Sequence, residues 1–208
     1  MASLKLRLAS VWFPESLLKG ELERISNLTT NALFSLLREK ASDSTEIVFR
    51  SLKPLAGSIE ERRAAMASNH NVLVESLAEA IGEEETLRLG RDVVFKIGLV
   101  IGEEARARLG IGDSVDDLIM AARALYRVLG IRFTVQQHDE GLEMVVSRCA
   151  LSKWYTARTC MVLSATDEGV IKGLNRRVGM KFDRTITAGF PSCMARILVD
   201  EELSGARP

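Results

Sequence analysis

The hydrophobic period of this sequence changes at Gly130. Before Gly130, apolar residues recur every three or four positions; after it, Ile131, Phe133 and Val135 alternate with polar residues in "IRFTVQQ". The first period is typical of amphipathic helices and the second of half-buried strands. We therefore predict a helical part over residues 1–130 and an α+β part over residues 131–208.

The helical part contains clear start and stop signals. Apolar residues at helical spacing predict a first helix from Pro14 to about Lys40, and a capping box of Ser58 and Glu61 begins a second that ends near Gly82. "DSVDDLIMAARALYRVLG" predicts another capped helix that ends at Gly130. Between these helices, "IGEEETLRLG" and "IGEEARARLG" nearly repeat; two copies are too few for a solenoid, so we interpret each Gly-Glu-Glu as an acidic first turn.

The second part predicts two β-hairpins around one helix. "IRFTVQQ" and "LEMVVSRC" are joined by the turn "HDEG", and "MKFDRTIT" precedes "CMARILVDEE". Between the hairpins, residues 164–179 predict a short helix that starts with a Ser164–Asp167 capping box. The expected fold is α+β: a helical N-terminal two-thirds packed on a four-stranded antiparallel sheet of order β-β-α-β-β. Because no Pro/Gly/Ser-rich linker separates the parts, we expect one folded unit.

Charge and hydropathy narrow the expected partners and location. The 28 basic and 28 acidic residues give a net charge of +0, so no overall field attracts nucleic acid or anionic lipid. The most apolar window, residues 93–101, contains Lys96 and is much shorter than the roughly 20 residues that span a bilayer. With no signal-peptide pattern at the start, we expect a cytoplasmic protein without a nucleic-acid or membrane partner.

Three cysteines are the main candidates for chemistry. Cys149 ends one predicted strand, Cys193 begins another, and Cys160 lies on the segment between sheet and helix, so all three could meet at one rim of the sheet. Thiolates bind zinc and iron–sulfur clusters, which makes these three residues candidate metal ligands. Their wide spacing is unlike the paired C-x-x-C of known metal motifs, and buried packing or nucleophilic thiols are the open alternatives.

Asp167 is a candidate catalytic carboxylate, although a helix cap would equally explain it. Trp154 is a candidate ligand-contacting aromatic, with core packing as its alternative. His138, in the predicted turn, and His70, within a predicted helix, are expected to be ordinary structural or surface residues. No nucleotide-binding, serine-hydrolase or HExxH metalloprotease motif occurs.

The C-terminal third resembles the L-2-amino-thiazoline-4-carboxylate hydrolase family. The likeness lies in "VVSRCAL", in Cys160 with Asp167, and in "GMKFDRTITAGFPSCMARI". Ala150 and Phe190 depart from residues frequent in that family. The resemblance implies opening of a thiazoline ring by water, a hydrolase reaction on a cyclic amidine. A second, weaker resemblance is to vinyl-reductase-type ligand-binding domains, which bind small molecules.

Two functions follow as hypotheses. In the first, the chain is a small-molecule hydrolase with Cys160 and Asp167 as catalytic residues. Arg184 would hold a substrate carboxylate and Trp154 would lie in the binding site. Either the three cysteines bind a metal that activates water, or no metal is bound and Cys160 is the nucleophile. In the second, it is a sensor or carrier that binds a small molecule or metal cluster without turnover. The leucine-rich first helix also allows assembly into a homo-oligomer.

Overall fold

Helices make up the larger part of this protein. The computed structural model describes Leu6 and residues 14–42, 45–138 and 141–199. Within these ranges, the α-helices are α1 (Glu15–Lys40), α2 (Thr45–Ser51), α3 (Ile59–Ile81), α4 (Glu83–Leu109), α5 (Val115–Leu129) and α6 (Ala157–Leu174). The strands are β1 (Ile131–His138), β2 (Gly141–Cys149), β3 (Val178–Arg184) and β4 (Cys193–Val199), with short 3₁₀ turns at Leu151–Lys153 and Ile186–Ala188.

The four strands form one antiparallel sheet in the order β1-β2-β4-β3. Both predicted hairpin pairings and the α+β class are therefore confirmed. In the register of the sheet, Ile131 pairs with Cys149, and Val146 pairs with Cys193. Since Cys149 ends β2 and Cys193 begins its antiparallel neighbour β4, both cysteines lie at the same end of the two central strands.

The cap signals of the helical part act as predicted. Ser58 and Glu61 form a complete capping box at the start of α3, and Ser114 accepts a hydrogen bond from the backbone N–H of Asp117 at the start of α5. Gly130 ends α5 with a positive φ of 70°, which a glycine adopts at little cost. Among the helices of the described ranges, none is long and apolar enough to cross a membrane.

Helices α4 and α6 pack against each other at very short range. A Cβ atom on Gly98 would overlap the carbonyl oxygen of Thr166, and one on Gly169 would overlap that of Phe95. Gly102 and Gly173 face the opposite backbone in the same way. The second Gly-Glu-Glu was expected to begin a helix, but Gly102 lies inside α4; this prediction was wrong because the glycine serves close packing rather than a helix boundary.

Helix α6 also begins earlier than predicted. It starts at Ala157, where the side chain of Thr156 accepts a hydrogen bond from the N–H of Thr159. The predicted Ser164–Asp167 capping box does not exist, because both residues lie within the helix and the Ser164 hydroxyl donates to the carbonyl of Met161. Residues 139–140 of the predicted turn and 200–202 of the predicted last strand lie outside the described ranges.

Candidate functional site

A cavity of about 80 Å³ lies where α6 meets helices α1, α3 and α5 and the four strands. Its walls are mostly apolar, with a small number of polar groups at fixed positions, the usual composition of a small-molecule site. The lining residues are Ile25, Thr29, Met66, His70, Tyr126, Leu129, Ile131, Val146, Cys149, Leu151, Tyr155, Cys160, Leu163, Ser164, Thr166, Asp167, Phe182, Thr185 and Cys193.

The structure brings all three cysteines to this cavity. Cys149 and Cys193 lie at one end of the two central strands, and Cys160 lies in the first turn of α6 rather than on the segment before it. Burial raises the pKa of Cys149 to about 12 and that of Cys160 to about 11, and it also raises the pKa of Cys193. The free thiols are therefore protonated at neutral pH, which makes each a weak nucleophile without a base.

The geometry gives no support to the predicted zinc or iron–sulfur site. Across the described ranges, no three Cys, His, Asp or Glu side chains are grouped closely enough to hold a metal ion. Cys193 has a different contact: its Sγ accepts a hydrogen bond from the N–H of Ile186 at 3.3 Å.

Asp167 lies on the cavity-facing side of α6. It follows Cys160 by seven residues, which is about two helical turns, so both side chains project from the same face with Cα atoms about 10 Å apart. Burial is the main influence that raises the pKa of the Asp167 carboxyl to about 7. The residue keeps some accessible surface toward the cavity, so a ligand could reach a carboxyl that is about half ionised at neutral pH.

Two hydroxyl groups beside this carboxyl lack good partners. The Oγ1 of Thr166 and the hydroxyl of Tyr126 are buried and make no hydrogen bond of good geometry, although these residues are only 9% and 5% exposed. The Tyr126 hydroxyl is still close enough to Asp167 to lower its pKa slightly against the larger effect of burial. Since buried polar groups are normally paired, these hydroxyls indicate where polar atoms of a ligand would bind.

His70 is held in one neutral form on the opposite wall. Its Nε2 lies 2.9 Å from the Thr29 hydroxyl, which itself donates to the carbonyl of Ile25 at 2.8 Å. Thr29 therefore accepts from Nε2–H, and Nδ1 accepts from the Tyr155 hydroxyl at 2.7 Å. Burial lowers the pKa of His70 to about 3, so the ring stays neutral and closes the wall instead of exchanging protons.

Two predicted site residues do not line the cavity. The Arg184 guanidinium is exposed and lies 5.6 Å from the ring centroid of Phe190. The Trp154 ring lies beside the ammonium of Lys153, and the backbone carbonyl of Trp154 accepts a hydrogen bond from the Asn71 side chain. Tyr126 and Thr166 were not predicted as site residues: Tyr126 approaches Asp167 only in the folded chain, and no motif marks the hydroxyl of Thr166.

Two solved structures match this chain at low sequence identity, and the first shares its fold. One is a trafficking protein particle complex subunit 3 from Naegleria fowleri, covalently bound to palmitic acid: it is 16% identical with a TM-score of 0.52, and the match covers 66% of this chain and 95% of that one. The other is an H-NOX protein from S. oneidensis in the Fe(II)NO ligation state, 14% identical with a TM-score of 0.42, covering 83% and 98%. No curated protein sequence matches significantly.

The family comparison covers far more of the chain than the C-terminal likeness noticed in the sequence. The model of the family described as L-2-amino-thiazoline-4-carboxylic acid hydrolase matches residues 58–197. The match includes the helices from α3 onward, all four strands, the three cavity cysteines and Asp167. Since it spans more than half of the 208 residues, this chain belongs to the L-2-amino-thiazoline-4-carboxylic acid hydrolase family.

Proposed function

We propose that this protein hydrolyses a small cyclic amidine of the thiazoline type, with Asp167 as general base. The observation that carries the proposal is a buried carboxyl with a pKa of about 7 that faces a mostly apolar cavity. A base acts best when its pKa lies near the working pH, and burial has moved this carboxyl to that value. Membership of the hydrolase family supports the reaction class.

The proposed reaction adds water to the ring carbon that carries the amino group. The reacting species is the protonated amidine: as the new C–O bond forms, the electron pair of its C=N bond moves to the nitrogen, and ionised Asp167 takes a proton from the attacking water. The hydroxyl of the resulting tetrahedral carbon then loses its proton to water as the C=O bond forms and a ring C–N or C–S bond breaks, and the protonated Asp167 gives its proton to the departing nitrogen or sulfur. Thr166 and Tyr126 line the cavity with hydroxyl groups that have no partner of good hydrogen-bond geometry, and we assign to them the hydrogen bonds that orient the ring.

The same geometry argues against a direct Cys160–Asp167 nucleophile–base pair. A thiol with a pKa of about 11 needs a base within hydrogen-bonding reach, whereas the two Cα atoms are about 10 Å apart along α6. The cavity hydroxyl groups near Cys160 come instead from Thr185 and Thr187, whose hydrogen bonds lower its pKa only in part. We therefore assign the thiols to the cavity wall that contacts the ligand.

Turnover of L-2-amino-thiazoline-4-carboxylate by the purified protein tests the proposal. Asp167→Asn should lower kcat by about 100-fold or more, the usual contribution of a general base. The kcat/KM of the wild type should rise with pH up to about 7 and then level, because only the ionised carboxyl accepts the proton. Cys160→Ala should keep this pH profile; an active Asp167→Asn variant, or no turnover by the wild type, would reject the assignment.

A ligand carrier is the second candidate. The apolar cavity walls favour it, and the structurally similar trafficking subunit is covalently bound to palmitic acid. If this chain carried an acyl group on a cavity cysteine, intact mass spectrometry of the purified protein would show an adduct that hydroxylamine removes. An unmodified mass together with turnover would favour the hydrolase.

The metal cofactor, the homo-oligomer and the cytoplasmic location remain predictions. Metal analysis of protein purified without oxygen tests the first, since near-stoichiometric zinc or iron would give the three cysteines a ligand role.

A further inference from the structure

A basic groove lies next to the cavity. It has a volume of about 610 Å³ and brings together six cationic side chains with one carboxylate, a local charge of +5 from six minus one. The charged residues are Arg63, Arg123, Arg127, Arg132, Arg148, Lys153 and Glu60. Because the whole chain has a net charge of +0, this accumulation of one sign is local to the groove.

Two of these arginines lie side by side on neighbouring strands. Arg132 on β1 pairs directly with Arg148 on β2 in the antiparallel register. Like charges in directly opposite positions destabilise a strand pair, so this arrangement has a cost in the free protein. Neither guanidinium, nor that of Arg123, forms a hydrogen bond or ion pair with another residue of the described ranges.

Among the described residues that line the groove, the single carboxylate is that of Glu60, and other cations engage it first. Glu60 accepts a contact from Lys153 Nζ at 2.9 Å and lies 3.7 Å from Arg63 Nη1. Its attraction to Arg148 is weaker than these, so one carboxylate leaves the positive charge of the groove in excess. An anionic ligand would supply this missing charge.

The inner wall of the groove is rigid. Arg63 is only 9% exposed, and its guanidinium donates to the carbonyls of Val128 and Arg127 at the end of α5. Gly130, with its positive φ, allows this close approach, since a Cβ there would meet the Arg63 guanidinium at 2.9 Å. The inner wall of the groove is thus formed by positioned residues of α3 and the end of α5, and the exposed Arg132 and Arg148 of the first hairpin lie beside it.

The groove and the cavity meet at Ile131 and Cys149, which line both. We propose that the groove binds an oxyanion, carboxylate or phosphate, of the ligand whose ring enters the cavity. In its substrate assignment this inference rests on the proposed hydrolase function, whose family name specifies a carboxylic acid. It transfers the carboxylate-binding role predicted for Arg184 to Arg132 and Arg148.

Calorimetric titration of the full chain, independent of turnover, tests the proposal. The probes are L-2-amino-thiazoline-4-carboxylate, its analogue without the carboxylate, 2-amino-thiazoline, and inorganic phosphate, all at constant ionic strength. The wild type should bind at least one anionic probe about tenfold or more tighter than the analogue, the value of a charged hydrogen-bonded contact. Tighter carboxylate binding would assign a carboxylate ligand, and tighter phosphate binding a phosphorylated one.

The decisive variant is Arg132→Gln with Arg148→Gln, compared with Arg50→Gln plus Arg88→Gln, which removes two exposed arginines outside the groove. The groove variant should lose the preference for the anionic probe and keep its affinity for the analogue, while the control resembles the wild type. Its Tm without ligand should equal or exceed that of the wild type, because the repulsion between the arginines is gone.

Three results would overturn the proposed anion site: no binding of either anion by the wild type, unchanged anion binding by the groove variant, or an equal loss of anion binding in the control. A wrong assignment of the hydrolase function would give a different result. If the wild type does not turn over the thiazoline but the groove variant selectively loses anion binding, the anion site stands and the reaction is wrong.

Discussion

Asp167→Asn should make this protein more stable above neutral pH while removing its proposed activity. The carboxyl lies in a mostly apolar cavity, and burial outweighs the influence of the Tyr126 hydroxyl on its pKa, so its ionised form is disfavoured in the folded state. An amide has nearly the same shape and cannot ionise. The substitution therefore removes the cost of a buried negative charge without opening a cavity.

The magnitude follows from the difference in pKa. The value of 3.8 for an ordinary aspartate rises to about 7 here, a difference of about 3 units, or about 4 kcal/mol at 1.36 kcal/mol per unit. A raised folded pKa means that the native state keeps a proton that the unfolded state has lost. The associated stability is fully present below pH 3.8, is lost as the pH rises to about 7, and does not change further above that value.

His70 acts in the opposite direction, so the wild-type curve alone is not informative. Its pKa falls from 6.5 to about 3, and the stability from keeping the ring neutral is present above 6.5 and lost as the pH falls toward 3. The two groups therefore offset each other between about pH 4 and 6.5. The difference between the Asp167→Asn variant and the wild type removes the His70 contribution, because both proteins contain it.

Urea unfolding at several pH values provides the measurement. The free energy of unfolding of Asp167→Asn should exceed that of the wild type by an amount that increases by about 4 kcal/mol between about pH 4 and pH 8. Asp92→Asn is the control, because Asp92 is an exposed partner of Lys96 and its removal should change stability by about 0.5 kcal/mol or less. Either of two results would show that Asp167 ionises in the folded protein at no cost in stability. The difference in the free energy of unfolding between the variant and the wild type would not vary with pH, or it would decrease from pH 4 to pH 8.

Three further outcomes follow from the packing and the cavity. Gly98→Ala should destabilise the protein by about 3 kcal/mol in urea unfolding, because its Cβ would overlap the Thr166 carbonyl. Gly20→Ala is the control: no atom lies within 4 Å of its Cβ, so it should stabilise the protein by roughly 0.5–1 kcal/mol. Equal effects of the two substitutions would contradict the close contact of α4 and α6. Cys160 should react with iodoacetamide about 100-fold more slowly than an ordinary thiol, since its pKa is about 11 rather than 9.0, and a rapid reaction seen by mass spectrometry would contradict its burial. The His70 ring should show no titration by NMR between about pH 4.5 and 8, and a shift there would mean that its bonds to Thr29 and Tyr155 are not formed as described.

The sequence was sufficient for the fold class because its signals are local. Ser58 with Glu61 and Ser114 with Asp117 cap helices using residues only three apart, and the change of period at Gly130 requires no knowledge of tertiary contacts. Gly102 is different, since the reason for a glycine there is the backbone of α6, about 70 residues later in the chain. Without that partner, Gly-Glu-Glu is indistinguishable from a helix start.

The site was only partly predictable for the same reason. The spacing of seven between Cys160 and Asp167 contained the information that they share a helix face, but it could be used only once α6 was known to begin at Ala157. Thr156, with Thr159 three residues later, was the local signal for that start. No local signal could show that Arg132 opposes Arg148, because the pairing depends on a register shift in β1 immediately after Arg132.

The cavity and the groove divide the binding of a charged ligand into two parts. At neutral pH the cavity contains protonated thiols, a neutral His70 and a carboxyl that is about half ionised, so it accepts the ring of the ligand more readily than a carboxylate. A carboxylate placed inside would lie near Asp167 and raise its pKa further, which would remove the ionised base from the proposed reaction. Holding the anion beyond Ile131 and Cys149, in the basic groove, keeps its charge away from Asp167, and the carboxyl then remains able to ionise near pH 7.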